Sequence, residues 1–364
     1  MSQISPATIA GAFRYDKGVL MSEPKPFKLS VLDLSPVPAQ ATPAAAFRNS
    51  LALARFAESA GFHRYWLAEH HNMTGIASAA TSVLIGYLAA NTQHLRLGSG
   101  GVMLPNHSPL VIAEQFATLA TLYPDRIDLG IGRAPGSDQR TMMALRRHMS
   151  GSHEDSFPQD IEQLIRWFDA PAGTHFDVQP VPGVGTQIPV WLLGSSLYSA
   201  QLAARLGLPF AFASHFAPDM LPQAVSLYRE HFRPSARLAE PYVVIGINVI
   251  AAESNARARY LFTSQQQQFI NLRRGMPGPL PEPVENMDHI WSPAEKFGVD
   301  RALGMSLVGD QKTITRGMAA LQQQYQADEI IVNGQIYDID ARIYSFSLAK
   351  AAAEAVLSGV VEES

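Results

Sequence analysis

The chain has 364 residues, 47% hydrophobic and 16% charged, with no cysteine and a formal net charge of −4. Its 28 basic and 32 acidic residues leave no clustered cationic face of the kind nucleic acid requires, the trio Arg140, Arg146 and Arg147 being too sparse. The lack of cysteine excludes disulfides, iron–sulfur clusters, thiolate zinc sites and cysteine nucleophiles together.

No run approaches the ~18 uninterrupted apolar residues of a membrane span, and Met1 to Pro26 lack the apolar core of a secretory signal. The expectation is a soluble, cytoplasmic protein with no membrane partner. Residues 1–26 read as a poorly ordered N-terminal extension. Met21 is an alternative start, because the first strand-like run begins only at Phe27.

From there the chain alternates short apolar runs with amphipathic stretches. Strands are expected at Lys28–Leu34, His63–Ala68, Leu95–Met103, Arg126–Ile131, Pro189–Leu193, Pro209–Ala213, Tyr242–Ile250 and Glu329–Val332. Helices are expected at Ala44–Ser59, Ala77–Ala90, Pro109–Leu122, Asp160–Phe168, Ser196–Leu206, Pro218–Arg229, Asn255–Ile270, Ile314–Tyr325 and Ala341–Leu357. Gly61 and Gly207 stand where a left-handed cap costs least, and Pro43 and Pro109 where a missing amide donor costs little. Runs such as Val190-Trp191-Leu192-Leu193 and Ile330-Ile331-Val332 are apolar on both faces, which suits a parallel sheet covered by helices. Eight such alternations predict one α/β domain over 27–360, a (β/α)8 TIM barrel. A doubly wound open sheet is the alternative, since periodicity does not register closure. Ala134–Phe157 and Gly275–Trp291 break the rhythm as insertion loops, read either as lids at the barrel's C-terminal mouth or as surface insertions. The Gln265–Gln268 run reads as the solvated face of a helix.

Catalytic groups of a barrel gather at the C-terminal ends of its strands. The second strand ends in Trp66-Leu67-Ala68-Glu69-His70-His71-Asn72. His70 and His71 cannot both enter one pocket from an extended strand, because successive side chains alternate faces. Glu69, His70, His71, His107, His153 and His215 are conceivable metal ligands, but no His-x-His occurs, and no metal is expected. Three glycines in the third strand (Gly98, Gly100, Gly101) suit the close approach of something flat, or a bulge at a barrel corner. Gly130-Ile131-Gly132-Arg133-Ala134-Pro135-Gly136 only resembles a dinucleotide fingerprint. Its third glycine falls one place late and Pro135 stands where a helix should open. Arg133 remains an anion ligand at a strand end. Gly194-Ser195-Ser196-Leu197-Tyr198-Ser199 leads into a helix, whose N-terminus suits a phosphate, with Ser196 as a plain N-cap the alternative. No Gly-x-Ser-x-Gly elbow supports a serine nucleophile.

Four segments in order resemble the bacterial luciferase-like flavin monooxygenases, especially their single-chain homologues of uncertain substrate. They are Trp66 to His71, Gly98 to Pro105, Asp125 to Arg133 and Gly207-Leu208-Pro209, and the likeness runs from about Lys28 to Leu357. The resemblance implies a barrel binding FMN at its mouth, with reduced FMN and O2 oxidising a small organic substrate through a peroxyflavin. It makes His70 the catalytic histidine and Gly100–Gly101 the site of a non-proline cis peptide beneath the flavin ring, with Ser99 beside it. It puts Arg133, Gly194, Ser195, Ser196 and Ser199 around the phosphate. Gly132 and Ser195 replace a cysteine and a glutamate of luciferase, which argues against light emission. The resemblance further implies a separate flavin reductase, since no nicotinamide motif is visible, and a homodimer through Ala77–Ala90 and Pro109–Leu122. A deazaflavin (F420)-dependent oxidoreductase, a non-catalytic flavin-binding protein and a metal-dependent hydrolase are the alternatives.

Overall fold

The computed structural model describes residues 25–134, 139–145 and 156–359. The expected extension over 1–26 and the insertion over 134–157 lie largely outside the described residues.

Ten strands appear in chain order: β1 (Lys28–Asp33), β2 (Arg64–Leu67), β3 (Arg96–Ser99), β4 (Val102–Met103), β5 (Ile127–Gly132), β6 (Val190–Gly194), β7 (Phe210–Phe212), β8 (Val243–Ala251), β9 (Ser306–Gly309) and β10 (Glu329–Asn333). All pair in parallel. β3 and β4 both pair with β5 and act as one interrupted strand. β10 pairs with β1 on one side and β8 on the other, closing the sheet. The fold is therefore an eight-stranded TIM barrel rather than an open sheet. β9 lies outside the expected set and runs beside the upper half of β8, Asn248↔Ser306 to Ala251↔Gly309.

Alternation along each strand builds two apolar regions. Tyr65 and Leu67 of β2 face the helices, whereas Trp66 between them points inward with Leu32, Trp191, Ala211, Val244 and Ile331. The helices cover the outside: α1 (Pro43–Ser59), α2 (Thr81–Ala89), α3 (Pro109–Leu122), α4 (Gln139–Leu145), α5 (Phe157–Asp169), α6 (Leu197–Leu206), α7 (Leu221–His231), α8 (Asn255–Arg273), α9 (Pro293–Ala302), α10 (Gln311–Tyr325) and α11 (Ile339–Leu357). Pro43 and Pro109 open α1 and α3, and Gly61 and Gly207 carry positive φ after α1 and α6. α2 starts four residues later than its composition suggests. The Ala77 amide donates to Ser35 O and the Ser78 hydroxyl to Leu34 O, so this stretch is tied to the end of β1.

The N-terminal end of the barrel is closed by charge. Arg64, the first residue of β2, donates to Glu329 of β10 (2.8 Å) and Asp128 of β5 (2.7 Å). Arg96 adds a second bond to Asp128 (2.6 Å), and Tyr242 Oη donates to Glu329 (3.0 Å). The Arg64 guanidinium lies 4.3 Å from the Trp191 ring centroid. Burying so many charges is tolerable only because every one is paired. The layer plugs the bottom of the barrel and leaves the opposite, C-terminal mouth for chemistry.

Candidate active site

At the mouth, β2 ends and its side chains diverge. Glu69 is buried, and its Oε1 accepts from His71 Nε2 and His107 Nε2, each at 2.8 Å, while Oε2 accepts the Met103 amide (3.1 Å). Burial alone would raise this carboxyl, but the bonds from His107, His71 and Met103 outweigh it and keep it ionised. His70 turns elsewhere. It is half-buried, and its Nδ1 is enclosed with no hydrogen-bond partner in the protein. Burial pushes its pKa down to about 4, with Glu69 pulling the other way, so at neutral pH it is an uncharged imidazole.

His215, just beyond β7, is a second such imidazole that the sequence reading did not assign to this site. Its Nδ1 is also enclosed and unpartnered. Burial, with His70 close enough to add repulsion, lowers its pKa to about 3. Gly246 of β8 makes its place, since a Cβ there would lie 2.7 Å from His215 Nδ1. Asn248 fixes the backbone beneath it by donating to His215 O (2.6 Å).

Asn248 anchors a buried carboxamide network. Its Oδ1 accepts from Gln265 Nε2 (2.9 Å) and Asn333 Nδ2 (3.0 Å), and its Nδ2 also reaches Ser306 Oγ (3.0 Å). Gln265 Oε1 in turn accepts the Gln335 amide (3.3 Å). This corrects the reading of the glutamine run as solvated, since Gln265 and Gln266 are both buried. The inward face of α8 meets the polar upper ends of β8 and β10, where a carboxamide supplies donor and acceptor together.

The floor of the mouth is apolar and partly aromatic, with Trp66 and Trp191 edge to face at 5.3 Å. The Gly100–Gly101 peptide at the β3–β4 break is cis. A Cβ on Gly100 would lie 2.8 Å from Leu32 Cδ1, and one on Gly101 2.8 Å from the Gly130 carbonyl, so neither position accepts a side chain without displacing its neighbours. Ser99 stands directly before this peptide. Its Oγ donates to Gly130 O (2.8 Å) and accepts from Gly130 N (3.0 Å), so it ties β3 to β5.

Further round the rim, the Arg133 guanidinium lies 4.1 Å from the ring centroid of Tyr198 in the first turn of α6. Ser196 occupies the N-cap position of that helix with extended backbone, yet its side chain makes no capping bond. Ser195 is half-buried and Ser199 buried. Gly194 admits the Ser199 hydroxyl, because a Cβ there would lie 2.2 Å from Ser199 Oγ.

Residues 27–327 match the family model described as luciferase-like monooxygenase. The chain belongs to the luciferase-like monooxygenase family. It is 66% identical to a luciferase-like monooxygenase of Escherichia coli K12 over 92% of this chain and 99% of that protein. It is 31% identical to the N-acetyl-S-alkylcysteine monooxygenase of Bacillus subtilis over 88% of this chain and 96% of that protein. Among solved structures it resembles apo-MsnO8, with a TM-score of 0.83 and 33% identity, covering 90% of this chain and 98% of that one.

The mouth of the barrel gathers groups that could hold a phosphorylated compound with a flat ring. Arg133, the hydroxyls of Ser195 and Ser196 and the first amides of α6 are donors suited to a phosphate dianion. The side-chain-free Gly100–Gly101 segment suits a flat ring, and the enclosed Nδ1 atoms of His70 and His215 are polar groups still owed a partner. Among the described residues, no helix is long and apolar enough to cross a membrane.

Proposed function

We propose that the protein is a flavin-dependent monooxygenase that takes reduced FMN from a separate reductase and, with O2, oxidises a small organic substrate. The observation that carries this reading is Arg133 over Tyr198 at the N-terminus of α6, whose N-cap serine makes no capping bond. That arrangement is a phosphate anchor beside a barrel mouth already shaped for a flat ring. Arg133, Ser195 and Ser196 hold the phosphate, Ser199 supports them from beneath Gly194, and Gly100–Gly101 backs the ring. When bound, reduced FMN supplies the electrons that activate O2. His70 stands beside the ring as hydrogen-bond partner, and the apolar floor of Leu32, Trp66 and Trp191 keeps water from the reacting face. Two copies of the chain pair through the outer faces of α2 and α3.

Titration with FMN, followed by flavin fluorescence, tests the reading. Saturable binding is expected, with Arg133→Ala weakening it about 10–100-fold, the worth of one or two charge-assisted bonds. Binding of F420 in place of FMN would give the deazaflavin alternative. Saturable FMN binding without oxygen consumption above the free-flavin rate, across a substrate panel, would leave a flavin carrier.

A further inference from the structure

The sequence offers no His-x-His, so a metal site is not legible along any one strand; the fold supplies one from two places. Glu69 and His71 come from the end of β2, and His107 from the turn between β4 and α3. Their ligand atoms (one carboxylate oxygen and two Nε2 atoms) lie within 4.8 Å of one another. We propose that Glu69, His71 and His107 form a binding site for a divalent cation of the Zn2+ type, which clasps the β2 end to the β4–α3 turn.

Four features carry this. Glu69 Oε1 stands 2.8 Å from each Nε2, and all three ligand atoms lie within 4.8 Å. Ligand atoms round a tetrahedral zinc with bonds of about 2.0–2.1 Å stand roughly 3.3 Å apart, so the two Glu69–imidazole pairs open by about 0.5 Å while the two imidazoles need close by at most about 1.5 Å. The two Nε2 protons need not be lost to solvent, because a neutral imidazole moves its proton to Nδ1 and presents the Nε2 lone pair. The free rotation of the carboxylate is already removed, since its other oxygen is held by the Met103 amide, the kind of outer bond that orients metal ligands. Both imidazoles are only half-buried, which gives the ion an entry path and leaves a coordination position for water. Two imidazoles and one carboxylate suit Zn2+ or Co2+ better than Mg2+ or Ca2+, which favour oxygen ligands throughout. The site flanks His70, whose imidazole feels both Glu69 and His71, but it uses none of the phosphate-anchor residues and does not depend on the flavin reading.

The test uses tag-free full-length protein stripped with a chelator and titrated with Co2+ as the spectroscopic probe. A visible d–d band that saturates at one equivalent, and is displaced by Zn2+, is expected. Zn2+ should also raise the melting temperature, because it binds the folded state alone. His71→Gln and His107→Gln should each weaken Co2+ binding by at least about 100-fold, more than the loss of an outer-shell partner, and should abolish the Zn2+-dependent rise in melting. Both metal-free variants should still melt cooperatively, which separates ligand loss from unfolding. The proposal is overturned by a titration without a saturating band. It is equally overturned if one-equivalent binding persists unchanged when both histidines are replaced, which would place the ion on another of the chain's histidines.

Discussion

Asp33 is wholly buried between β1 and the helical shell, yet four groups turn towards it. Arg342 Nη2 and the Ser35 amide reach Oδ1, each at 2.9 Å, and Ser50 and Tyr65 donate to Oδ2 at 2.5 and 2.6 Å. Burial pushes the carboxyl up, but the Arg342 charge and these bonds outweigh it and hold it below the usual carboxylate range. A carboxyl depressed in the folded state contributes stability in full above its unfolded pKa, near 3.9, and loses it as pH falls through the folded value. Asp33→Asn is therefore expected to cost about 3–5 kcal/mol at pH 7 by leaving Arg342 buried without its counter-charge. In urea unfolding the gap between wild type and variant should narrow as pH drops below about 4; a gap independent of pH would disprove the linkage. At the mouth, Gly246→Ala places a methyl 2.7 Å from the enclosed His215 Nδ1, so the ring must shift. Substrate turnover should fall about tenfold or more through a misplaced imidazole. A variant with wild-type turnover would remove His215 from the working site. The places of His70 and Arg133 just past strand ends were legible in the sequence because each follows an apolar strand run. His215 was not assigned, because what marks it is a glycine on the neighbouring strand, a relation that only tertiary structure creates.

The elements divide in the same way. The eight barrel strands were readable because burial on both faces turns each into a continuous apolar run, bounded by helical periodicity. β9 is only four residues, Ser306-Leu307-Val308-Gly309, and exists because the upper half of β8 offers it a partner. α9 was missed although its start carries a complete capping box, Ser292 with Glu295, because a proline-rich segment directly precedes it. That segment, 275–291, is fastened at the mouth. The Leu280 amide donates to Val37 O and its carbonyl accepts from the Ala39 amide, while Pro36 pairs with Ile76. Gly75 lets the strap pass, since a Cβ there would lie 1.9 Å from Gly278 O, a backbone atom that cannot yield locally. Gly75→Ala is thus expected to lift the strap. Limited proteolysis within 275–291 should quicken several-fold, with a loss of about 1–3 kcal/mol in unfolding free energy from overpacking. Unchanged cleavage would mean the strap is held chiefly elsewhere.

On the scale of the whole molecule, charge and apolar surface are separated by direction. The ion-paired layer seals the N-terminal end of the barrel, and the mouth sets neutral imidazoles and carboxamides beside the single charges of Glu69 and Arg133. The outer faces of α2 and α3 expose Val83 (70%), Tyr87, Val111 and Leu122 (64%). Single exposed apolar residues are ordinary, but these four sit on two helices packed side by side, the surface the proposed dimer would cover. A second copy of the chain is its simplest occupant, because an isologous contact needs only one self-complementary surface. A charge at the centre of such a patch is buried without a counter-charge in the dimer and remains hydrated in the monomer. Sedimentation at micromolar concentration should therefore give a dimer for the wild type and a monomer for Val83→Glu combined with Leu122→Glu. FMN affinity should be unaltered, since neither residue approaches the phosphate anchor or the glycine segment. A monomeric wild type would show that this face stays in solvent. A variant that remains dimeric would move the interface to another side of the barrel.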